Sequence, residues 1–353
     1  MAEPSARDIG IYFLDVGQGD CTVIIPPEGE GGAIVFDVAD QYVLERFVAN
    51  HEIVVSDVIA SHLDIDHVRG MLDFLRNHGD KVDRAYIGLD RYPAPGKNIA
   101  LRKLLEQVEI WTEETPIPRI IQKDNWRDHE KPLTIREGRD WKVELILPYN
   151  STRSKVLRES GPHANMVSAV LRVERGETAV LIGGDAPLGS WEQLGARDSL
   201  LLPAAAIRTP HHGGDAKEGG QVWKAYSELY DRVNAELGVV SVGTSNSYDH
   251  PHVDHLGAVR RGGECRLLCT QLTPRCHGSP IELREAMRNQ ATMVEPPYRQ
   301  WDATGKSRRS KEVPCAGSIV AWIDASGRLH HEPSIDSEHT KLLRRVDNPR
   351  CRG

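Results

Sequence analysis

Ser61-His62-Leu63-Asp64-Ile65-Asp66-His67 is the stretch that decides how this chain is read. Two imidazoles and two carboxylates fall within six residues, after a strand candidate at Val54 to Ala60 and before a helical stretch at Val68 to His78. A strand-to-helix turn holds polar groups on rigid supports, where catalytic residues are commonly found. Imidazole mixed with carboxylate suits zinc, manganese or iron, whereas magnesium favours oxygen alone. Alternate residues of a tight turn converge, so the four side chains can divide between two adjacent ions. Histidine and aspartate also cap helices, and Asp66 by itself reads as an N-cap. Four ligand types together outweigh that simpler reading.

Outward from this turn the chain alternates short strands with helices. Strands are expected at Ile9 to Leu14, Cys21 to Ile25 and Ala33 to Phe36, each closed by Gly, Pro or Asp. Further strands are expected at 82–89, Trp141 to Leu147, Ser168 to Glu174, Thr178 to Gly183 and Val239 to Val242. Arg175-Gly176-Glu177 reads as a hairpin turn. Helices are expected at 42–49, 99–108, 218–236 and Val253 to Arg261. The pattern predicts an α/β sandwich rather than a helical bundle. Asp185 follows the apolar run Ala179 to Ile182, and His211 follows Ala204 to Ile207. Both are polar groups at strand exits, although each alone is also an ordinary turn residue. Residues 112–140 are polar and read as a loop-rich insertion within a domain spanning 1–330, and 331–353 as a polar tail without fixed packing.

Apolar residues make up 39% and charged residues 27% of the 353, a balance that suits a globular enzyme. No apolar run approaches the roughly 20 residues that span a bilayer. The opening MAEPSARDIG lacks a signal-peptide core. A cytoplasmic protein with no membrane partner is therefore expected. The net charge of −7 argues against a protein that coats nucleic acid. It does not exclude an enzyme acting on nucleic acid, because bound metals add positive charge that a formal count omits. The run Lys306 to Lys311 is either a solvated loop or a phosphate track.

His62-x-Asp64-x-Asp66-His67 resembles the HxHxDH motif of the metallo-β-lactamase superfamily, with Asp64 in place of the second histidine. That replacement, with Asp15-Val16-Gly17-Gln18-Gly19-Asp20, resembles the ComEC-type competence proteins and their stand-alone relatives. Phe36-Asp37, Gly183-Gly184-Asp185, Pro210-His211-His212-Gly213, Ser241-Val242-Gly243 and His250-Pro251-His252 resemble later motifs in the same order. The resemblance implies an αβ/βα sandwich of two mixed sheets flanked by helices, with two divalent ions, Zn or Mn, between the sheets. It implies that His62 and Asp64 hold one ion, and Asp66 and His67 the other, with Asp185 bridging and His211 completing the second set. Asn165, preferred over His163, would stand for the third motif's histidine. Asp37 would orient a ligand from behind.

The resemblance further implies hydrolysis by a metal-bridging hydroxide, with His212 or His250 protonating the leaving group. His250 and His252 either serve the site or belong to a packed loop turned by Pro251; Asp15 and Asp20 either assist or close the Gly17–Gly19 turn. There are departures. Arg69 stands where the family carries a glycine, at the start of the helix, and Gly214 stands where it carries a serine.

Cys265, Cys269, Cys276 and Cys315 cluster in the segment 262–320. They read either as a structural zinc site, with irregular spacing, or as buried thiols. Cys21 reads as a strand core residue and Cys351 as an inert tail residue.

The functional expectation is a two-metal nuclease or phosphodiesterase with DNA or RNA as substrate. Hydrolysis of a small ester, lactone or thioester is the alternative on the same fold. A metal-stabilised binding subunit with protein partners in a larger assembly is the third reading.

Overall fold

Strand β1, Ile9–Phe13, shows how the sequence pattern builds the layers. Ile9, Ile11 and Phe13 point into one apolar cluster, while Tyr12 and the following Leu14 point into another. Successive strand residues face opposite ways, so a strand apolar on both faces must be covered on both. The same alternation holds in Ala33–Phe36 and in Thr178–Ile182.

The computed structural model describes residues 3–88, 98–114, 118–121, 131–149, 164–214, 222–283, 312–334 and 338–351. After β1 come β2 (Thr22–Ile25), β3 (Ala33–Phe36), α1 (Gln41–Asn50), β4 (Val55–Ile59), α2 (Ile65–Val68), α3 (Met71–His78), β5 (Arg84–Tyr86), α4 (Ile99–Glu114) and β6 (Arg119–Ile121). Then follow β7 (Leu133–Glu137), β8 (Trp141–Leu147), β9 (Val170–Arg175), β10 (Thr178–Ile182), α5 (Leu188–Arg197), β11 (Ala206–Arg208), α6 (Val222–Val233), β12 (Leu237–Val240), α7 (Val253–Arg260) and β13 (Arg266–Cys269). The chain closes with β14 (Ile319–Ile323), β15 (Leu329–Glu332) and α8 (Glu338–Leu343).

One sheet runs β15-β14-β1-β2-β3-β4-β5-β6 and the other β13-β12-β11-β10-β9-β8-β7. Each is antiparallel over part of its width and parallel over the rest, from β3 to β6 and from β10 to β13. The sheets face one another across Ile11, Phe36, Leu145, Leu171 and Val180. Buried α1, α3 and α4 residues cover the outer face of the first sheet, and buried α5, α6 and α7 residues that of the second. This is the expected sandwich of two mixed sheets flanked by helices. Ligand sites in such sheets lie beyond the carboxyl ends of parallel strands. Here β3 ends before Asp37, β4 before His62, β10 before Asp185 and β11 before His211.

Two expectations are corrected. The stretch 112–140 is not simply loop: α4 continues to Glu114, and β6 and β7 extend the free edges of the two sheets. Their short, polar sequences hide the strands because edge strands need little apolar character. Nor is the chain past 331 a loose tail. β15 pairs with β14, and Leu342, Leu343 and Val346 are buried against Leu272 and Val313. Three apolar positions among many charges are too sparse to reveal a packed helix by periodicity. No described helix is long and apolar enough to cross a membrane. His163 and the run Lys306 to Lys311 lie outside the described residues.

Candidate metal centre

The turn after β4 carries His62 and His67 into the seam between the sheets, where both are buried. Their rings lie 4.2 Å apart. Asp185, from the turn after β10, reaches them from the opposite sheet. Its Oδ1 is 3.3 Å from His67 Nε2 and 3.7 Å from His212 Nε2. Its Oδ2 is 3.8 Å from His62 Nε2 and 3.9 Å from His211 Nε2. Asp66 joins the first side, 3.4 Å from His212 Nε2, and Asp64 the second, 3.5 Å from His62 Nε2. One carboxylate thus presents one oxygen to each of two imidazole–carboxylate groups.

The rings are fixed from behind. His67 Nδ1 donates to Asp37 Oδ2 at 2.7 Å, and Asp37 Oδ1 accepts from Ser61 N at 2.7 Å. His212 Nδ1 donates to Ser241 O at 2.8 Å. In both, the proton sits on Nδ1 and the Nε2 lone pair faces Asp185, the arrangement a ligating histidine needs. His62 Nδ1 hydrogen-bonds with Ser61 Oγ at 2.9 Å. Asp20 lies close to His67, Asp185 and His212. It faces the Nδ1 sides of the two rings and pairs with the Arg208 guanidinium, so it braces the group rather than closing it. Asp37, His211 and His212 hold φ of 63°, 54° and 53°, a left-handed conformation that costs non-glycine residues energy and persists where surroundings enforce it.

His62 Nε2, His67 Nε2, His212 Nε2 and Asp185 Oδ1 are all buried without a hydrogen-bond partner. Each such atom costs about 1–3 kcal/mol. A cation that accepts four donors at once removes that cost, and imidazole with carboxylate is a fitting donor set for Zn or Mn. The electrostatics agree. Burial would lower the His67 pKa, but Asp185 and Asp37 outweigh it and hold it well above the usual imidazole range. Burial would raise the Asp185 pKa, yet His67 and His212 hold it well below the usual carboxylate range. The carboxylates draw positive charge to the imidazoles, and a divalent cation would displace those protons.

The structure rearranges several expectations. His212 was expected as a proton donor to a leaving group. Its Nδ1 is held by Ser241 O and its Nε2 faces Asp66 and Asp185, a ligand's position rather than that of a proton donor to a leaving group. His212 stands in the second set, where His211 was expected; His211 stands over the other oxygen of Asp185. Burial, then His211 and His212, lower the His250 pKa to about 4, so its imidazole is neutral near pH 7. Its ring lies 5.1 Å from that of His211. The ring also explains Gly214: a Cβ there would lie 2.3 Å from His250 Cε1, so the family's serine does not fit. His252 caps α7, accepting from Asp254 N, and its side chain is exposed. Asp15 Oδ1 accepts from Gly17 N and from Gln271 Nε2, closing the turn and tying it to the strand-end beyond β13. Gly19 has φ of 132°, and a Cβ there would lie 2.2 Å from Asp66 O, so this turn packs directly on the His62–His67 turn. Asn165 lies in the turn before β9, its carbonyl accepting from Ser168 N. Among the described residues, no hydrogen bond joins its side chain to the cluster.

Sequence reasoning missed Ser61, Ser168, Arg208, Ser241 and His255. Ser168 Oγ accepts from Asp185 N, and His255 Nδ1 donates to Gly214 O while Nε2 meets Tyr230 OH. Arg208 was visible as a lone charge ending an apolar strand; the serines carry no such mark.

A cleft of about 800 Å³ opens beside Asp66, lined by Gln18, Arg69, Asn246 and Ser247 and by Tyr42 and Tyr248. Both tyrosines are exposed. Arg69 reaches the cleft with its Nε held by Ala39 O.

Among the cysteines, Cys265 does not share a site with Cys269, Cys276 and Cys315. It precedes β13 and donates weakly to Arg266 O. Four residues of strand span about 13 Å, whereas two sulfurs on one zinc are each only about 2.3 Å from it. All six cysteines are free thiols.

Comparison with known proteins supports the fold. The model of the metallo-β-lactamase superfamily matches residues 14–186. The uncharacterized protein YcaI of Escherichia coli K12 is 23% identical over 257 residues, 70% of this chain but 27% of YcaI, so the chain spans about a quarter of that protein. Among solved structures, the metallo-β-lactamase fold protein YhfI of Bacillus subtilis is 11% identical, with 74% of this chain and 96% of YhfI covered and a TM-score of 0.43. Tm1679, described as a metal-dependent hydrolase of the β-lactamase superfamily, is 12% identical, with 74% and 95% covered and a TM-score of 0.45. The family match over the first half and the paired mixed sheets, with the His/Asp turn at their seam, give this chain the metallo-β-lactamase superfamily fold.

Proposed function

We propose that the protein is a two-metal phosphodiesterase acting on nucleic acid. The observation that carries this reading is the Asp185 carboxylate, with one oxygen turned to His67, Asp66 and His212 and the other to His62, Asp64 and His211. These residues would hold divalent ions, whose charge would acidify water, polarise an electrophile and steady a leaving oxygen. The chain's own residues do the rest. Asp37 and Ser241 O keep the His67 and His212 lone pairs turned inward. Asp20, balanced by Arg208, keeps the space behind the rings closed.

Substrate class is read from the cleft. Charged and amide side chains share it with apolar surface, and two exposed tyrosines, Tyr42 and Tyr248, also line it, the latter stacked 5.7 Å from His250. Exposed aromatic rings suit stacking with unpaired bases. Arg69 shares the cleft with Asp40, Asp73 and Glu312, so attraction for phosphate falls to the ions rather than to a basic groove. The motif order from Asp15 to His252, in its resemblance to the competence-type proteins, is consistent with the same substrate class.

The test is digestion of labelled single- and double-stranded DNA and RNA with Zn or Mn, alongside p-nitrophenyl esters. Wild type should cut at least one nucleic acid, and Asp66→Ala and Asp185→Ala should not. Ester cleavage without cutting of any nucleic acid would replace this reading with that of a small-ester hydrolase.

A further inference from the structure

Three successive residues in the turn after β11 hold positive φ: His211 at 54°, His212 at 53° and Gly213 at 70°. Such backbone is costly for histidine and persists where neighbours enforce it. Here the enforcement can be traced. His211 N donates to Gly184 O at 2.9 Å, Gly214 N turns back to His211 O at 2.6 Å, and His252 N donates to Gly213 O at 2.7 Å. The carbonyl that ends the turn is held by a side chain instead. His255, on α7, donates from Nδ1 to Gly214 O at 2.7 Å.

His255 is oriented in its own right. It is 2% exposed, and its ring stacks on Tyr226 of α6 with centroids 4.0 Å apart. Its Nε2 lies 2.6 Å from the hydroxyl of Tyr230, a buried residue one helical turn further along α6. A carbonyl oxygen only accepts, so Nδ1 carries a proton. Burial lowers the pKa of the ring to about 4, so near pH 7 the other nitrogen is bare and Tyr230 donates to it. The opposite tautomer would set a lone pair against Gly214 O. The Tyr230 hydroxyl therefore favours the form of His255 that can hold the turn. Asp37 and Ser241 O do the same directly for the rings of His67 and His212. No hydrogen bond orients the His211 ring in that way among the described residues, so its placement falls to the backbone that carries it.

We propose that His255 and Tyr230 are positioning residues for His211: through the Gly214 carbonyl they hold the left-handed turn that sets the His211 ring over Asp185 Oδ2. The inference rests on the reading of Asp185 and the histidines around it as ion-facing groups. It gives the Oδ2 side a support built from two helices behind the second sheet, separate from the Asp37 and Ser241 supports of the Oδ1 side.

The test is competition for zinc between the full chain and a chromogenic chelator, which needs no substrate. Wild type should show two zinc affinities. Tyr230→Phe should weaken one of them about 10-fold and leave the other unchanged, and His255→Leu should weaken the same one by up to about 100-fold, the range that outer partners of ligands carry. His255→Asn, whose amide nitrogen can donate to Gly214 O, should recover part of the His255→Leu loss. In a His211→Ala background Tyr230→Phe should change neither affinity, because the residue it positions is gone. Nitrogen-15 NMR of the metal-free wild type should find the His255 proton on Nδ1. Two unchanged zinc affinities in Tyr230→Phe, the same loss with and without His211, or a His255 proton on Nε2 would each overturn the inference while leaving the two-metal reading in place. A wild type that binds no zinc would overturn that reading and the inference with it. A failure of His255→Leu to fold leaves Tyr230→Phe and the NMR measurement decisive.

Discussion

The two sides of Asp185 are built from the same residue types but differ in how they are held. On the Oδ1 side His67 and His212 are closed from solvent, with side chains 0% and 1% exposed, and Asp66 is 19% exposed. Each ring there has its tautomer fixed by a carboxylate or a carbonyl. On the Oδ2 side His62 is buried, but Asp64 is 45% and His211 26% exposed. His211 donates no comparable hydrogen bond among the described residues. With ions bound, the difference would separate two jobs: the enclosed, oriented set would hold one against exchange, and the open set would leave coordination positions that substrate can reach.

The largest test of this division removes the carboxylate that both sides share. Asp185→Ala should lose both ions and lower activity by more than about 100-fold, beyond the 10- to 100-fold that outer partners of ligands are worth. Metal analysis after dialysis and the rate of phosphodiester cleavage read it, with circular dichroism to show that the fold stands. If one ion stays bound tightly, Asp185 does not bridge and the two sides are independent.

A smaller effect distinguishes the neighbours His211 and His212. His212→Ala should leave the enclosed side short of a ligand and the purified protein with one ion fewer. His211→Ala should retain both ions after brief dialysis and release one more easily to a chelator. The reverse result would exchange their places. Smaller again is Asp37→Asn, whose single amide oxygen can accept from His67 Nδ1 or from Ser61 N but not replace both carboxylate oxygens, and which removes the charge behind the ring. Metal affinity of the enclosed side should fall about 10-fold, with the open side unchanged.

The contrast also explains what the sequence shows and what it hides. The turn from His62 to His67 is legible because its ligand types are consecutive and follow an apolar strand. Asp37 and Asp185 are legible as acids at strand ends, and the paired sheets follow from period-two apolar runs. Which of His211 and His212 faces inward is not legible, since it depends on two successive left-handed residues and on the Ser241 carbonyl from another strand. Tyr230 and His255 are hidden for a related reason: they meet each other and the Gly214 carbonyl across 16 to 41 positions. The fold is local pattern repeated; the site is decided by contacts across 30 to more than 200 positions, such as Ser241 Oγ donating to Gly19 O.

The smallest expected effect concerns the rim of the open side. A Cβ at Gly214 would meet the His250 ring at 2.3 Å from Cε1 and 2.8 Å from Nδ1, so Gly214→Ser must displace that ring. His255 holds the Gly214 carbonyl from below, which keeps the backbone from yielding instead. Overpacking of this kind costs about 1–3 kcal/mol, and it falls on His250 and on Tyr248 stacked over it, not on the enclosed ligands. Thermal stability should therefore drop modestly and KM should rise a few-fold, while both ions stay bound. A Gly214→Ser protein that loses an ion would mean that His250 and the open set form one unit, and the boundary drawn through Asp185 would have to move outward to include the rim.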